Sequence, residues 1–335
     1  MLEQGGCHRG VAAEVGAPCW HLFSGFPASA LVAHPVSKVV MSVGAQPACL
    51  IVNADDYGYY DCVSRGILQS ARHGIVTATG IFATGKRFDE HIAWLGDYEE
   101  LDLGLHLNLT DREPLTKEMR SRLARRRGRF PPKFAVAMAV MSGAIPVPTV
   151  RLEWRAQIER CLDKGLSISF INSHEHIHML PPLFRLVEEL AREYGIAHVR
   201  LSASEGLRNW RPGALIRDAL MKGLAILNRR QLPQPVPAFL GMAESGRLSL
   251  AALRTLLPRI QPGGVYELMC HPGYRVDAEI DNPMLFNYHD WQGELDTLTS
   301  PLARELLIGH GIRLIGYRDL EYRSGKLVAR DAANQ

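Results

Sequence analysis

The sequence predicts an α/β fold in which about seven parallel strands, joined by crossover helices, curl into a closed or nearly closed (β/α) barrel. Three observations support this. From Ala48 onward, strand-like and helix-like patterns alternate, which signals βα units rather than hairpins. Polar clusters at residues 53–56, 106–110, 172–178 and 271–274 each follow an apolar, strand-like run. Barrel enzymes carry their chemistry at that end of their strands. Finally, no GxGxxG or GxxxxGKS/T loop follows the first strand, which argues against a dinucleotide or P-loop protein.

The elements follow in order. Cys49–Val52 is a short apolar strand running into Asn53-Ala54-Asp55-Asp56. A helix with Val63, Ile67, Leu68 and Ala71 on one face ends at His73-Gly74, a good C-terminal stop. Val76–Phe82 is β-branched and strand-like, and Leu101–Leu109 alternates as a strand bearing His106. After a charged and apolar arm comes a helix over about 151–164, with Trp154, Ile158, Cys161 and Leu162 at helical spacing. Ser167–Ile171 reads as a strand, with Asn172–His178 as an extended continuation. Pro181-Pro182 suit a helix's first turn, Leu183, Leu186, Val187, Leu190, Ala191 and Tyr194 give it an apolar stripe, and Gly195 stops it. Strands are expected at 197–201, 264–270 and 312–317, and helices at 212–228, 248–260 and 300–310.

Composition narrows the classes. The 335 residues are 47% hydrophobic and 22% charged, as in an ordinary globular enzyme. No apolar run reaches the roughly 18–20 residues of a membrane span. Six cysteines without CxxC or CxC spacing argue against a thiolate zinc site and a disulfide framework, so a cytoplasmic setting is expected. Residues 1–45 have no period and no basic region leading into an apolar core, so a secretory signal is not expected. They read as a poorly structured leader, or as sequence preceding a natural start at Met41. The barrel domain is expected over 46–325, with an arm inserted at about 111–149 and a tail from 326 to 335.

Charge is uneven. Residues 117–133 hold eight basic side chains and one acid, a local +7 in a chain of net +3, which leaves −4 for the rest. One basic arm on a slightly acidic body is not a nucleic-acid-binding face. An apolar stretch, 134–141, follows at once. The arm reads either as an exposed basic helix followed by a helix packed on the barrel as a substrate lid, or as an interfacial anchor at an anionic membrane, with a lipid-linked substrate. The anchor reading would place the protein peripherally at the inner face of the membrane.

Several residue types at the strand ends can carry chemistry. Asp55-Asp56 leave a strand in different directions, so one can bind a metal while the other faces a water; an Asx turn or helix cap is the alternative. His174, His176 and His178 alternate, and on an extended segment they would share one face, with Glu175 pointing away. Solvated loop histidines are the alternative. His106 alone would more often be a packed residue. Its interest lies in its company, because an aspartate and two histidines with open positions is a composition of catalytic metal sites. His271, followed by Pro-Gly, reads as a general acid or as a turn residue. Alternation would put Glu267 on its face, there to orient it or to line the barrel.

Taken together, Asn53-Ala54-Asp55-Asp56-Tyr57-Gly58, Gly104–Thr110, Asn172–His178 and Glu267–Gly273, with Arg304-Glu305-Leu306-Leu307 near the end, resemble the YdjC-like carbohydrate deacetylases in order and spacing. This group includes chitooligosaccharide and hopanoid-associated deacetylases. The resemblance, over about 48–320, implies a distorted NodB-like barrel and metal-dependent removal of N-acetyl groups from amino sugars. It implies Asp56, His106 and His174 as ligands of a divalent metal ion, Asp55 as base, and His271 as the acid. Two imidazoles favour Zn2+, while the family leaves Mg2+ open. The expected partner is an N-acetylated sugar, and a homodimer is left open. Other readings are another metal-dependent amide or ester hydrolase, or a non-catalytic sugar-binding or metal-binding protein. Two positions depart from the family pattern. Asn172 stands where Asp is frequent, which is expected to loosen the orientation of a ligand, and Tyr57 stands where Phe is frequent.

Overall fold

The computed structural model describes residues 46–204 and 212–330. The expected leader at 1–45 and the last five residues of the expected tail lie outside them. The chain runs β1 (Ala48–Tyr57), α1 (Asp61–His73), β2 (Ala78–Ile81), α2 (Phe88–Ala93), β3 (Asp102–Leu107), α3 (Lys117–Arg122), α4 (Lys133–Met141), α5 (Val147–Leu162), β4 (Phe170–Ser173), α6 (Pro181–Glu193) and β5 (His198–Val199). It continues through α7 (Pro212–Arg229), β6 (Ala238–Leu240), α8 (Leu250–Leu256), β7 (Val265–Cys270), α9 (Trp291–Thr299), α10 (Pro301–Gly309), β8 (Ile312–Leu314), β9 (Leu320–Arg323) and β10 (Lys326–Ala329).

The main sheet is parallel and ordered β5-β4-β3-β2-β1-β7-β6, with β8 beside the start of β1. No pairing joins β5 to β6 among the described residues, so the barrel stays open on that side. All ten residues of β1 are buried, as suits a central strand covered on both faces. Its side chains divide by parity. Ala48, Leu50, Val52 and Ala54 join the large core under the helices. Cys49 and Ile51 join a small inner cluster with Ala78, Phe170, Ile315, Tyr317 and Leu320. There the Phe170 and Tyr317 rings stack with centroids 4.1 Å apart. This apolar plug fills the barrel floor, and the next inward residues of β1, Asn53 and Asp55, stand above it.

Register sets the level of the polar strand ends. His106 pairs with Asn172, and Ala54 pairs with Cys270. Glycine is required at one close approach and eases a second. A Cβ on Gly66 of α1 would lie 2.4 Å from Gly273 Cα, so the turn carrying His271 sits directly on α1. A Cβ on Gly80 of β2 would meet Asn172 Oδ1 and His106 Cβ, each at 3.1 Å.

Several expectations shift. β2 covers 78–81 rather than 76–82, and β4 covers 170–173 rather than 167–171, because its pairing with β3 starts at Gly104 opposite Phe170. His174–Met179 is not extended. It is a 3-10 turn with Glu175 and His176 in the left-handed region, and its histidines do not share one face. Ser173 closes the turn, its Oγ accepting from His178 N–H at 3.0 Å. The expected tail begins with a strand, β10, antiparallel to β9. α9 was not foreseen, although its buried Trp291, Leu295 and Leu298 have helical spacing. The arm contains α3 and α4. Glu153 of α5 is fully buried and ties down the arm's start, accepting from Leu115 N–H, Thr116 N–H and Thr116 Oγ.

Candidate active site

Three of the expected residues converge at the C-terminal mouth. One nitrogen from each of His106 and His174 and a carboxylate oxygen of Asp56 lie within 4.8 Å of one another. Asp56 Oδ1 is 3.1 Å from His106 Nε2 and 2.8 Å from His174 Nδ1. The backbone brings Asp56 there at a cost. The register of β1 against β2 slips between Ala54 and Tyr57, and Asp56 has φ +74°. A bulge re-aims a side chain, and a non-glycine residue held at positive φ is strain of the kind found at functional sites. Burial pushes the Asp56 carboxyl up, but His174 and His106 outweigh this and hold it well below the usual carboxylate range. In turn burial lowers His174, while Asp56 raises it further, to about 9. The His174 ring also lies against Tyr59 and Phe82, with centroids 5.3 and 5.2 Å away.

Asp55 is fully buried beside them, held by a residue the sequence reading did not single out. Arg200, just past β5, donates from Nη1 to Asp55 Oδ2 at 2.7 Å and from Nη2 to Oδ1 at 2.9 Å. Its Nε donates to Glu267 Oε1 at 2.7 Å. Arg200 side-chain exposure is 0%, so these bonds replace its entire hydration. Asn172 Nδ2 donates to Asp55 Oδ1 at 2.9 Å. Oδ1 thus accepts two bonds and Oδ2 one, and the free lone pair of Asp55 is on Oδ2. Burial raises the Asp55 carboxyl, but Arg200, followed by His106, holds it at about 2. The missed signal was a lone arginine after the apolar residues of a short strand, at the level of the other polar ends.

Asn172 does not loosen the site. Its Oδ1 accepts from His106 Nδ1 at 2.6 Å while its Nδ2 binds Asp55. One amide therefore fixes both the His106 tautomer and the Asp55 carboxylate, a double role that an aspartate could fill only if protonated.

Glu267 does not orient His271. It bonds to Arg200 and accepts from Asn53 Nδ2 at 3.1 Å, so it lines the barrel, the second of its two expected roles. His271 is held by its backbone: its N–H donates to Glu294 Oε2 at 2.5 Å. Glu294 is buried, which pushes its carboxyl up to about 8. The His271 ring is buried, its Nδ1 has no partner among the described residues, and it lies 5.1 Å from the ring of His289. Burial lowers His271, against the pull of the Asp56 and Asp55 carboxylates. The other two histidines of the 174–178 cluster stand outside the triad. His178 is 2.6 Å from Ser173 Oγ through Nδ1, and its Nε2 donates to Arg200 C=O at 2.9 Å. His176 Nδ1 is 2.9 Å from Ser202 Oγ.

The donor set fits a divalent cation. With Nδ1–H of His106 given to Asn172, the Nε2 lone pair faces a carboxylate oxygen at 3.1 Å, acceptor against acceptor. A shared proton or a cation relieves that opposition. Two imidazoles and one carboxylate with an orienting bond behind one imidazole are the composition of a catalytic zinc site, and they admit other divalent ions.

Comparison with known proteins identifies the family. A family model described as YdjC-like protein matches residues 49–308. A protein of Geobacillus stearothermophilus named carbohydrate deacetylase is 31% identical over 274 residues, covering 82% of this chain and 98% of that protein. One of the same name from Clostridium beijerinckii is 26% identical, over 81% of this chain and 99% of its own length. A chitooligosaccharide deacetylase of Klebsiella pneumoniae is 29% identical, over 81% and 98%. Among solved structures, a protein of Enterococcus faecalis described as a candidate cellobiose-phosphate cleavage protein shares the fold. Its TM-score is 0.63 at 24% identity, over 82% of this chain and 98% of that one. With the family model spanning most of its length and the motif residues gathered at one mouth, this chain belongs to the YdjC-like family.

Proposed function

We propose that this protein is a metal-dependent carbohydrate deacetylase, which hydrolyses the N-acetyl group of an amino sugar to acetate and the free amine. The observation that carries the reading is the convergence of Asp56, His106 and His174 beside an Asp55 with one free lone pair. The names of the relatives supply the substrate class.

Asp56, His106 and His174 would hold the ion, zinc or magnesium, which when bound supplies Lewis acidity for polarising the acetamide carbonyl and lowering the pKa of water. Asp55 Oδ2 accepts a proton from the attacking water, whose oxygen forms the new bond to the carbonyl carbon. Arg200 and Asn172 keep Oδ2 aimed while this happens. The C–N bond then breaks, and the amine nitrogen needs a proton to leave. His271 is the imidazole available to deliver it, on the turn that follows β7.

Acetate release from N-acetylglucosamine oligomers tests this, with the protein loaded with zinc or magnesium and then stripped by a chelator. Release that stops on chelation and returns with metal supports the proposal. Equal release with and without metal would leave an amide hydrolase of another kind, and sugar binding without release would leave a binding protein.

A further inference from the structure

Two helices beside the site expose apolar faces. In α4, Phe134, Met138 and Met141 are 73%, 69% and 60% exposed. They sit at i, i+4 and i+7 and so share one face, while Val136 and Val140 are buried on the other. Apart from Lys133, every residue of α4 is apolar. A surface helix of a soluble protein ordinarily turns a polar face to water, and α4 has none. In α7, Ile216, Leu220 and Leu227 are exposed at i, i+4 and i+11, again one face.

Both helices pack against the 174–179 turn that carries His174. Lys133 pairs with Glu175 at 3.0 Å, and Asn228 Nδ2 donates to Met179 C=O at 2.8 Å. These apolar faces therefore belong to elements flanking the site.

The segment leading into α4 gives the surface its second property. Lys117, Arg120, Arg122, Arg125, Arg126, Arg127, Arg129 and Lys133 are all exposed. Arg122 pairs with Glu118 and Lys133 with Glu175. Lys117, Arg125, Arg126, Arg127 and Arg129 have no ion-pair partner among the described residues. Unneutralised cations next to an apolar helix face suit an interface whose outer layer is anionic and whose inner layer is hydrocarbon. A second copy of the chain would complement the apolar half alone, and an isologous contact would bring two basic segments of the same sign together. No helix of the described residues is long and apolar enough to cross a membrane, so the contact is with the surface.

We propose that the α3–α4 arm, with the exposed face of α7 beside the site, docks on an anionic lipid bilayer and brings the active-site mouth to the membrane surface. The docking surface stands on its own observations. Only its meaning for substrate presentation rests on the deacetylase reading.

The test is co-sedimentation of the full chain with vesicles of mixed phosphatidylglycerol and phosphatidylcholine, against phosphatidylcholine alone. Binding to the mixed vesicles at low salt, its release by salt, and weak binding to neutral vesicles are expected. Arg125→Glu, Arg126→Glu and Arg127→Glu together should weaken binding by more than about tenfold. Phe134→Ser, Met138→Ser and Met141→Ser together should also weaken it, and both variants should release acetate from a soluble N-acetyl sugar at the wild-type rate. Because sedimentation needs no turnover, a failed deacetylase reading would leave this result untouched. A protein that stays in the supernatant, or binding unchanged in both variants, would overturn the proposal. So would a wild-type dimer in light scattering that the three serines convert to a monomer, which would assign the face to a second copy.

Discussion

On the proposed mechanism, replacing Asp55 by Asn separates the base from the metal ligands. The Asp55 carboxylate meets Arg200 through both oxygens, at 2.9 and 2.7 Å, and Asn172 through Oδ1 at 2.9 Å. An asparagine that keeps the Oδ1 bonds must turn its NH2 toward Arg200 Nη1, donor against donor. Asp55 has its carboxyl held at about 2, against 3.8 when unperturbed. At 1.36 kcal/mol per unit the difference corresponds to about 2 kcal/mol of stability, and the opposed donors add about 1 kcal/mol. The metal-free variant should therefore be about 2–3 kcal/mol less stable than wild type at neutral pH in urea unfolding. The folded pKa lies below the unfolded one, so the Asp55 contribution is fully present above about pH 4 and is lost as pH falls from 3.8 toward 2. The stability gap should be flat at neutral and mildly acidic pH and narrow below about 4. Turnover should fall by about 10²–10⁴, the usual worth of a general base, with metal content by mass spectrometry close to wild type. Loss of the metal along with turnover would make Asp55 a ligand. Surviving turnover would remove the base assignment, and a gap that persists undiminished to pH 3 would show that the Arg200 pair is not its source.

His174→Ala should lower metal affinity by at least about tenfold with an unchanged far-UV circular dichroism spectrum; wild-type occupancy would break the triad. His271→Ala should slow hydrolysis of an N-acetyl sugar by about 10²-fold or more, spare an activated ester whose leaving group needs no proton, and remove the alkaline limb of the pH profile. Equal losses on amide and ester would make His271 a positioning residue. Asn172→Asp would place a carboxylate oxygen about 2.9 Å from Asp55, so it should cost roughly 1–3 kcal/mol at neutral pH and less in acid. A variant as stable as wild type in neutral urea titrations would show that Asn172 is not needed as a donor.

What could be read from the sequence was whatever one element encodes by its own periodicity. β1, α1 and α6 carry their burial pattern in their spacing, and the four polar clusters mark the strand ends because an apolar run stops there. Asp55, Asp56, His106 and His174 were found in this way and by family resemblance. Arg200 was not, because a lone arginine at a strand end is only a weak local signal; its burial is set by Asp55 and Glu267, which are 145 and 67 residues away. The 174–179 turn was misread for a related reason. Alternating histidines suggest a strand, but Ser173 and His178 close the chain on itself, and side-chain-to-backbone competition of that kind leaves no period. The short strands β5 and β6, of two and three residues, owe their existence to their neighbours.

The site is best understood as a single bonded network with a few atoms left over. Asn53 holds Glu267, Glu267 and Asp55 share Arg200, and Asn172 joins Asp55 to His106. His106 and His174 meet at Asp56. Within this network Asp55 and Glu267 share the Arg200 charge and Asp55 also takes the Asn172 amide, which is what keeps ionised groups in a dry barrel. The stacked rings of Phe170 and Tyr317 fill the floor beneath. At the strand ends Asp56 Oδ1, His106 Nε2 and His174 Nδ1 face one another, with the second lone pair of Asp55 Oδ2 beside them. These are all acceptors, or become so once His174 gives up its proton, and acceptors crowded together call for a cation and for the hydrogens of a water. The fold positions that demand at the strand ends, beside the 174–179 turn that carries His174.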